Sequence, residues 1–199
     1  MEPYEFSGGI RLVKGMGIVG SASDSYTLII PEADPEKNEH IRPWYRDIVQ
    51  GSDWDNEGEA AIDIFKYLKN RFGSNKGYER DGGRISLNAA LEHSKGVCKE
   101  KSAVFQIMCQ ILGISSLYVR GYTYTHNDEG ELVKARHAWN KVKIQGDVYF
   151  VDVTNKVFDN PYSELLDRRG DIHGYNEGEN RIVMDHELDQ EEMSYIAGK

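Results

Sequence analysis

The chain has 199 residues, of which 39% are hydrophobic and 29% charged, and its formal net charge is −9. This length suits one sizeable core or one domain with added arms. The acidic balance argues against a nucleic-acid partner, and no apolar run approaches the roughly 18 residues of a membrane span. The N-terminus lacks the basic and then apolar pattern of a secretory signal, so we expect a cytoplasmic protein, or a secreted one whose signal has been removed.

The first third of the chain predicts short strands followed by a helix. Glycine-broken apolar stretches over 9–20 and 25–32 favour strands or extended arms. The segment 41–58 is ambiguous, because its aromatic residues suit either a core or a groove. Apolar residues at three- and four-residue spacing over 61–72 predict a helix, and Gly73 is a plausible end for it.

The middle of the chain predicts two further helices, separated by a glycine and a cysteine. A short helix over 86–96 stops at Gly96, and a longer one begins at Cys98 and ends before Gly113. The longer helix has one apolar face, made of Ala103, Val104, Ile107, Met108, Ile111 and Leu112. Cys98 precedes this face at the helix N-terminus, whereas Cys109 lies next to it and is expected to pack in the core. Along one helix the two thiols are roughly 16 Å apart, too far for a disulfide.

Strands follow the helices. A strand is expected over 116–125, a polar connector over 126–136, and two more strands over 137–144 and 148–155. Near the end of the chain, 181–184 is a further candidate strand. Helices before an antiparallel sheet predict an α+β fold, with the N-terminal helices packed on the sheet and Cys98 at the start of the core helix.

Composition divides the chain into three parts. Residues 1–57 form an N-terminal extension of strands and loops, either part of the same domain or a lid, and 58–157 form the core. The remaining stretch, 158–199, is an acidic C-terminal extension with eleven acidic and four basic residues from 159 onward. By contrast, 94–145 has eight lysines and arginines against four acids. That basic segment is either an ordinary solvated surface or a field that favours a thiolate or an acidic substrate.

The register of the last hairpin decides whether His137 and Asp152 meet. If 145–146 form a two-residue loop, Asp152 lies opposite Trp139. His137 precedes Trp139 by two residues, so it points to the same face and is a diagonal neighbour of Asp152, about 7–8 Å away. A slip of one residue would put the two side chains on opposite faces.

Cys98, His137 and Asp152 together are typical of nucleophilic catalysis. A thiol at a helix N-terminus is stabilised as a thiolate, and an adjacent imidazole takes its proton. The imidazole needs a third group that fixes its tautomer and orientation. Taken singly, each residue also has a structural interpretation, since buried cysteines and strand histidines are common. An aspartate in a strand is less usual and needs a partner.

The residues around these three resemble the transglutaminase-like superfamily. The resemblance lies in "GVCKEKSAVFQIMCQILGI", "YVRGY" and "RHAWNKVKIQGDVYFVDVTN", which occur in that order. It covers roughly Ile62 to Asn155, about half of the chain. Several motifs in the right order make it more specific than a lone cysteine or histidine.

The resemblance implies a papain-like α+β fold with a Cys-His-Asp triad. Cys98 is then the nucleophile, His137 the general base and later the acid, and Asp152 the residue that orients the imidazolium. Trp139 and Asn140 match the rest of the "HAWN" motif and are expected to support the site. No cofactor and no metal are implied.

This chain departs from the family pattern in two places. Many relatives have a tryptophan where this chain has Asn155, and small or aromatic residues where it has Lys99, Glu100 and Lys101. These departures bear on substrate choice more than on the triad.

The expected reaction is attack on an amide or ester carbonyl to give a thioester, which water or an amine then resolves. Hydrolysis, deamidation and transamidation all stay open, with a protein or peptide as substrate. The Cys98 N–H is one oxyanion donor, and candidates for a second are Trp44, Gln50 and Trp54. The alternatives are an inactive module of the same family that binds a protein or peptide partner, and an unrelated α+β scaffold. The sequence does not specify an oligomeric state.

Overall fold

The protein is described here from a computed structural model. The backbone is described for 4–5, 10–13, 17–20, 27–29, 34–74, 84–159, 172–176 and 181–184, and the side chains for 34–73, 87–124 and 127–158. The helices are α1 (Ile41–Val49), α2 (Glu57–Arg71), α3 (Leu87–His93) and α4 (Cys98–Ile111). The strands of the first half are β1 (Tyr4–Glu5), β2 (Ile10–Val13), β3 (Gly17–Gly20), β4 (Thr27–Ile29), β5 (Gly73–Ser74), β6 (Arg84–Ser86) and β7 (Lys95–Gly96). Those of the second half are β8 (Ser116–His126), β9 (Leu132–Ile144), β10 (Asp147–Asp152), β11 (Val157–Asp159), β12 (Ile172–Asn176) and β13 (Arg181–Met184).

Helix α2 shows how local sequence sets a helix here. The side chain of Asn56 accepts hydrogen bonds from the N–H groups of Gly58 (2.9 Å) and Glu59 (3.1 Å), which caps the N-terminus. Acidic residues lie in its first turn and basic residues in its last, which suits the helix dipole. The helix ends at Arg71, and Gly73 begins the short strand β5. The predicted helix is therefore confirmed.

The ambiguous segment before α2 folds as helix α1. Trp44 is buried there, with its ring 5.0 Å from that of Phe72 and 5.7 Å from that of Tyr67. These aromatic residues therefore pack together between helices α1 and α2. The predicted strands nearer the N-terminus are present as β2, β3 and β4, which belong to a five-stranded sheet with β1 and β6.

The second half builds a six-stranded sheet in the order β11-β10-β9-β8-β13-β12, and every neighbouring pair is antiparallel. In the β9–β10 hairpin Ile144 faces Asp147, so the predicted register is confirmed. Gln145 and Gly146 have φ angles of 52° and 100°, the positive values that a type I′ turn requires. The sheet with its helices makes the fold α+β, as expected.

One strand boundary was predicted wrongly. His137 does not begin a strand, because β9 starts at Leu132 and pairs with β8 along its whole length. The connector between the two strands is correspondingly short. Residues 133–136 are exposed, so this part of β9 carries no alternation of buried and exposed residues. Without that alternation the sequence gives no strand signal.

The C-terminal stretch contributes to the same sheet. The candidate strand at 181–184 is confirmed as β13, which pairs with β8, and β12 was not predicted. The rest of the proposed acidic extension lies outside the described residues, and the three-part division stays a prediction. Within the described ranges, no helix combines the length and apolar character needed to cross a bilayer.

Helix α4 is the centre of the core. Every residue from Lys99 to Cys109 is buried, and the helix contacts α2, α3, β8 and β9. Three of these buried residues carry charge, namely Lys99, Glu100 and Lys101. Charged side chains are rarely buried without a specific role, so the first turns of α4 are the unusual part of the core.

Candidate active site

The N-terminus of α4 presents Cys98 without a capping side chain. The N-cap residue is Val97, which has no side-chain acceptor, in contrast to Asn56 at α2. The first N–H groups of α4, including that of Cys98, have no acceptor within the helix and are available to an incoming anion. Cys98 itself is partly exposed and is a free thiol. This end of the helix therefore combines a nucleophilic atom with backbone donors.

Glu100 and Gly96 hold the turn that carries Cys98. The fully buried Glu100 carboxylate accepts a hydrogen bond from the Val97 N–H at 2.8 Å. A Cβ at position 96 would lie 2.8 Å from the Glu100 Cβ and 3.1 Å from the Phe72 ring. Only glycine leaves room for this close approach, so Gly96 is needed for packing rather than for backbone conformation.

Two hydrogen bonds fasten the next turn of α4 to strand β9. The Ser102 hydroxyl donates to the Ala138 carbonyl at 3.0 Å, and the Asn140 amide donates to the Ser102 carbonyl at 3.1 Å. Ala138 directly follows His137 in the strand. The helix end with Cys98 is thereby placed beside the part of β9 that carries His137, and the sulfur interacts with the imidazole.

His137 and Asp152 form a buried hydrogen-bonded pair. Nε2 of His137 lies 2.6 Å from Oδ2 of Asp152, and both side chains are almost fully buried. Because Nε2 is engaged by the carboxylate, Nδ1 is the ring nitrogen left for the thiol. The predicted diagonal contact across the hairpin is therefore present.

The turn after β10 fixes the Asp152 carboxylate. Oδ1 accepts from the backbone N–H groups of Thr154 and Asn155, both at 3.0 Å. Oδ2 accepts from the side-chain amide of Asn155 at 2.5 Å, in addition to His137. Aspartate commonly makes such bonds to residues two or three positions ahead. The sequence marked Asn155 only as a departure from the family pattern and did not predict its hydrogen bonds to the carboxylate. The Asp-x-x-Asn spacing was the available signal.

Electrostatics favour the charged forms of the pair. Burial alone lowers the pKa of His137, but the Asp152 carboxylate and the Cys98 sulfur outweigh it and raise that pKa to about 10. Burial works in the opposite direction on Asp152, yet the imidazolium and the Asn155 bonds hold its pKa below the ordinary value. At neutral pH the site therefore contains an imidazolium–carboxylate pair beside Cys98.

The two residues expected to support the site lie against its framework. Trp139 is fully buried, and its ring lies nearly parallel to His137 at a centroid distance of 6.1 Å. Asn140 is also fully buried, and its amide donates to the carbonyls of Ser102 and Leu117. Trp139 thus stacks beside the imidazole, and Asn140 ties α4 to the sheet.

Two of the three candidates for the second oxyanion donor have their N–H groups bonded elsewhere in the protein. The indole N–H of Trp44 donates to the Leu91 carbonyl at 3.2 Å, and that of Trp54 donates to the Asp63 carboxylate at 2.9 Å. Neither indole is therefore free to bind an oxyanion in this structure. Gln50 is exposed at the end of α1, and its assignment stays a prediction.

Among the described side chains, no cluster of three His, Cys, Asp or Glu residues is arranged to hold a metal ion.

Comparison with known proteins places this site in a family context. The family model for the transglutaminase-like superfamily matches residues 43–153, which is more than half of the chain. That range contains Cys98, His137 and Asp152. No curated protein matches the sequence.

The chain is also similar to solved structures. One, from Cytophaga hutchinsonii and provisionally described as a cysteine protease, has 18% identity and a TM-score of 0.46, covering 60% of this chain and 38% of its own. A protein described as a TGase has 17% identity and a TM-score of 0.41, covering 63% and 33% respectively. A provisionally described protease from Parabacteroides distasonis has 13% identity and a TM-score of 0.41, covering 59% and 24%. The chain thus spans between 24% and 38% of the length of these proteins.

Proposed function

This chain belongs to the transglutaminase-like superfamily, and from that premise we propose that it is a cysteine-dependent acyl-transfer enzyme acting at amide bonds through a thioester. The observation that carries the proposal is the linked arrangement of Cys98, His137 and Asp152. The thiol interacts with the imidazole, and the imidazole is bonded to the carboxylate at 2.6 Å. This order of nucleophile, base and orienting acid is what thiol-based acyl transfer requires.

In the first half of the reaction His137 holds the proton that the Cys98 thiol has given up, and the Cys98 sulfur attacks the carbonyl carbon of the amide. Negative charge develops on the carbonyl oxygen, where the N–H of Cys98 and the positive end of the α4 dipole stabilise it. His137 then gives its proton to the leaving nitrogen, and the C–N bond breaks to leave a thioester. Asp152 stays ionised throughout and holds the imidazole in place.

In the second half water or an amine attacks the thioester. His137, now neutral, takes the proton of the attacking group, and the thiolate leaves. Water gives hydrolysis of a peptide bond or deamidation of a glutamine side chain, whereas a primary amine gives transamidation. The partial exposure of Cys98 leaves room for either nucleophile, so the choice among the three reactions is what the experiment has to measure.

Mass spectrometry of peptides incubated with the protein and a primary amine tests this proposal. Cleavage, a gain of about 1 Da, or an amine adduct identifies hydrolysis, deamidation or transamidation respectively. We expect Cys98→Ala to lower turnover by about 10⁴-fold or more, because the nucleophile is gone. Cys109→Ala is the matched control, since it removes the other thiol of the same helix, and it should keep turnover within a few fold. Binding of a peptide without any product, with Cys98→Ala behaving as the parent, would instead support the inactive binding module.

Asp152→Asn tests the role of the carboxylate. We expect a loss on the order of 10²–10⁴-fold in turnover, because an amide does not stabilise the imidazolium and permits the wrong tautomer. The protein should still bind peptide, and circular dichroism at the assay temperature should show a folded protein. Unchanged turnover in this variant would contradict the triad.

A further inference from the structure

Lys101 is a buried cation at the candidate active site. It lies three residues after Cys98 in α4, so the two side chains share one face of the helix. Only 6% of Lys101 is exposed. Its ammonium interacts electrostatically with the Asp152 carboxylate, the Cys98 sulfur and the ammonium of Lys156. Lys101 therefore adds positive charge near the reacting atoms.

The Asp152 carboxylate attracts this cation but forms no ion pair with it. None of the hydrogen bonds or ion pairs there involves the Lys101 ammonium, and the nearby Asp152 carboxylate is already occupied by His137 and Asn155. Burial accordingly lowers the pKa of Lys101, and the carboxylate only partly opposes this effect. Although the aliphatic stem of Lys101 is buried, its ammonium nitrogen keeps some exposure to solvent, so an anionic ligand can reach it.

Lys156 adds a second positive charge on the same side. It is exposed in the turn that follows Asp152, and it is close enough to Lys101 for the two positive charges to repel each other. Lys156 adopts a φ of 62°, in the left-handed region that non-glycine residues seldom occupy. The turn that binds Asp152 thus also fixes the backbone position of Lys156.

The excess positive charge persists through the reaction. Asp152 balances only one of the two lysines, and neither attack nor proton transfer changes the charge of these three groups. One unit of positive charge therefore remains beside the reacting atoms both before attack and in the thioester state. An anionic group on the acyl donor would neutralise this charge in both states, whereas a neutral donor would leave it uncompensated.

We propose that Lys101 and Lys156 form a subsite for a carboxylate, so that the preferred acyl donors are acidic peptides with a glutamate or aspartate next to the reacting amide. This inference rests on the proposed function, because it assigns substrate preference at the same site. It is also consistent with the excess of basic residues over 94–145.

A protection assay tests the subsite without requiring turnover. Iodoacetamide alkylates Cys98, and the probes are the α-amides of N-acetylglutamate and N-acetylglutamine, which differ little in size and of which only the first carries a carboxylate. We expect the N-acetylglutamate α-amide to protect Cys98 at roughly tenfold lower concentration than the N-acetylglutamine α-amide, as for a partly desolvated charge pair. Lys101→Gln should abolish this preference, Lys101→Arg should retain most of it, and Lys156→Gln should reduce it. The control is Lys95→Gln, which deletes an exposed charge three residues before Cys98 and should leave the preference unchanged.

The outcomes separate failure of the subsite from failure of the proposed enzyme. Equal protection by the two probes, or a preference that survives both Lys101→Gln and Lys156→Gln, would overturn the subsite even in an active enzyme. A preference that these variants remove supports the subsite even without turnover. If Lys101→Gln does not fold, Lys156→Gln carries the test, because that side chain is exposed. With active protein, the KM is measured for one peptide with a glutamate beside the reacting amide and for a second with a glutamine in its place. Lys101→Gln should raise KM for the glutamate peptide about tenfold and leave kcat nearly unchanged, whereas loss of a merely structural lysine would alter the kinetics of both peptides alike.

Discussion

The two cysteines of α4 share one helix and lie in opposite environments. Cys98 is partly exposed in the first turn, beside His137, whereas Cys109 is fully buried eleven residues later. Burial raises the pKa of the Cys109 thiol far above its ordinary value. Position along the helix, rather than residue type, therefore separates a candidate nucleophile from a core thiol. Within α4, the N–H groups that have no acceptor in the helix and the neighbouring imidazolium lie at the N-terminal end.

Alkylation of the native protein gives the largest expected difference between the two ends. At pH 7.5 we expect iodoacetamide to modify Cys98 at least about 10²-fold faster than Cys109, because Cys109 reacts only when the core opens. Peptide mapping of time points by mass spectrometry measures both rates in one sample. In 8 M urea the two rates should become similar. Equal rates in the folded protein would contradict the contrast.

The sequence predicted this contrast because both ends carry local signals. The apolar face of α4 and the stop at Gly113 predicted the helix, and Cys98 stood before that face. The register of the β9–β10 hairpin followed from its two-residue loop, which is a local feature. That register was enough to predict the contact between His137 and Asp152.

Other features depend on contacts between segments far apart in the chain. The first part of β9 has exposed residues on both faces, so only its pairing with β8 makes it a strand. Likewise Trp44 and Trp54 matched an oxyanion donor by residue type, but their partners, Leu91 and Asp63, decide where each N–H points. The burial of Lys101 also depends on tertiary packing, since from sequence alone a lysine at that position is expected to be exposed to solvent.

The pH dependence of stability sharpens the comparison, because each end titrates in its own window. The ordinary pKa of His137 is 6.5 and its folded pKa is about 10, so the folded state holds a proton that the unfolded state loses between those values. Stability should therefore fall with rising pH over this range, by up to about 1.4 kcal/mol per pH unit. Cys109, whose pKa is raised from 9.0, adds a similar loss only above pH 9.

Urea unfolding at pH 6, 7.5, 9 and 10 separates these contributions. We expect His137→Gln to flatten the decline between pH 6.5 and 9, and Cys109→Ala to flatten only the part above pH 9. The Asp152 carboxylate contributes on the acid side, since its lowered pKa makes stability fall as pH drops below 3.8. Parallel curves for the parent and His137→Gln between pH 6.5 and 9 would show that the imidazolium–carboxylate pair does not stabilise the fold.

Substitutions of the glycines that flank α4 have the smallest expected effects and distinguish overpacking from backbone strain. A Cβ at position 96 would press on Glu100 at 2.8 Å and on Phe72 at 3.1 Å, so Gly96→Ala should cost about 1–3 kcal/mol through overpacking. Gly113 has open space around it but a φ of +75°, so Gly113→Ala should cost about 1–2 kcal/mol through backbone strain.

The two variants should differ at Cys98 even where their losses of stability are alike. Overpacking at position 96 moves Glu100, whose carboxylate holds the Val97 N–H, and so displaces the turn that places Cys98 beside His137. Alkylation of Cys98 should therefore slow in Gly96→Ala and stay unchanged in Gly113→Ala, measured under conditions where both are fully folded. Equal alkylation rates in the two variants would mean that the position of the nucleophile tolerates movement of this turn, and the packing of Gly96 would then serve the core alone.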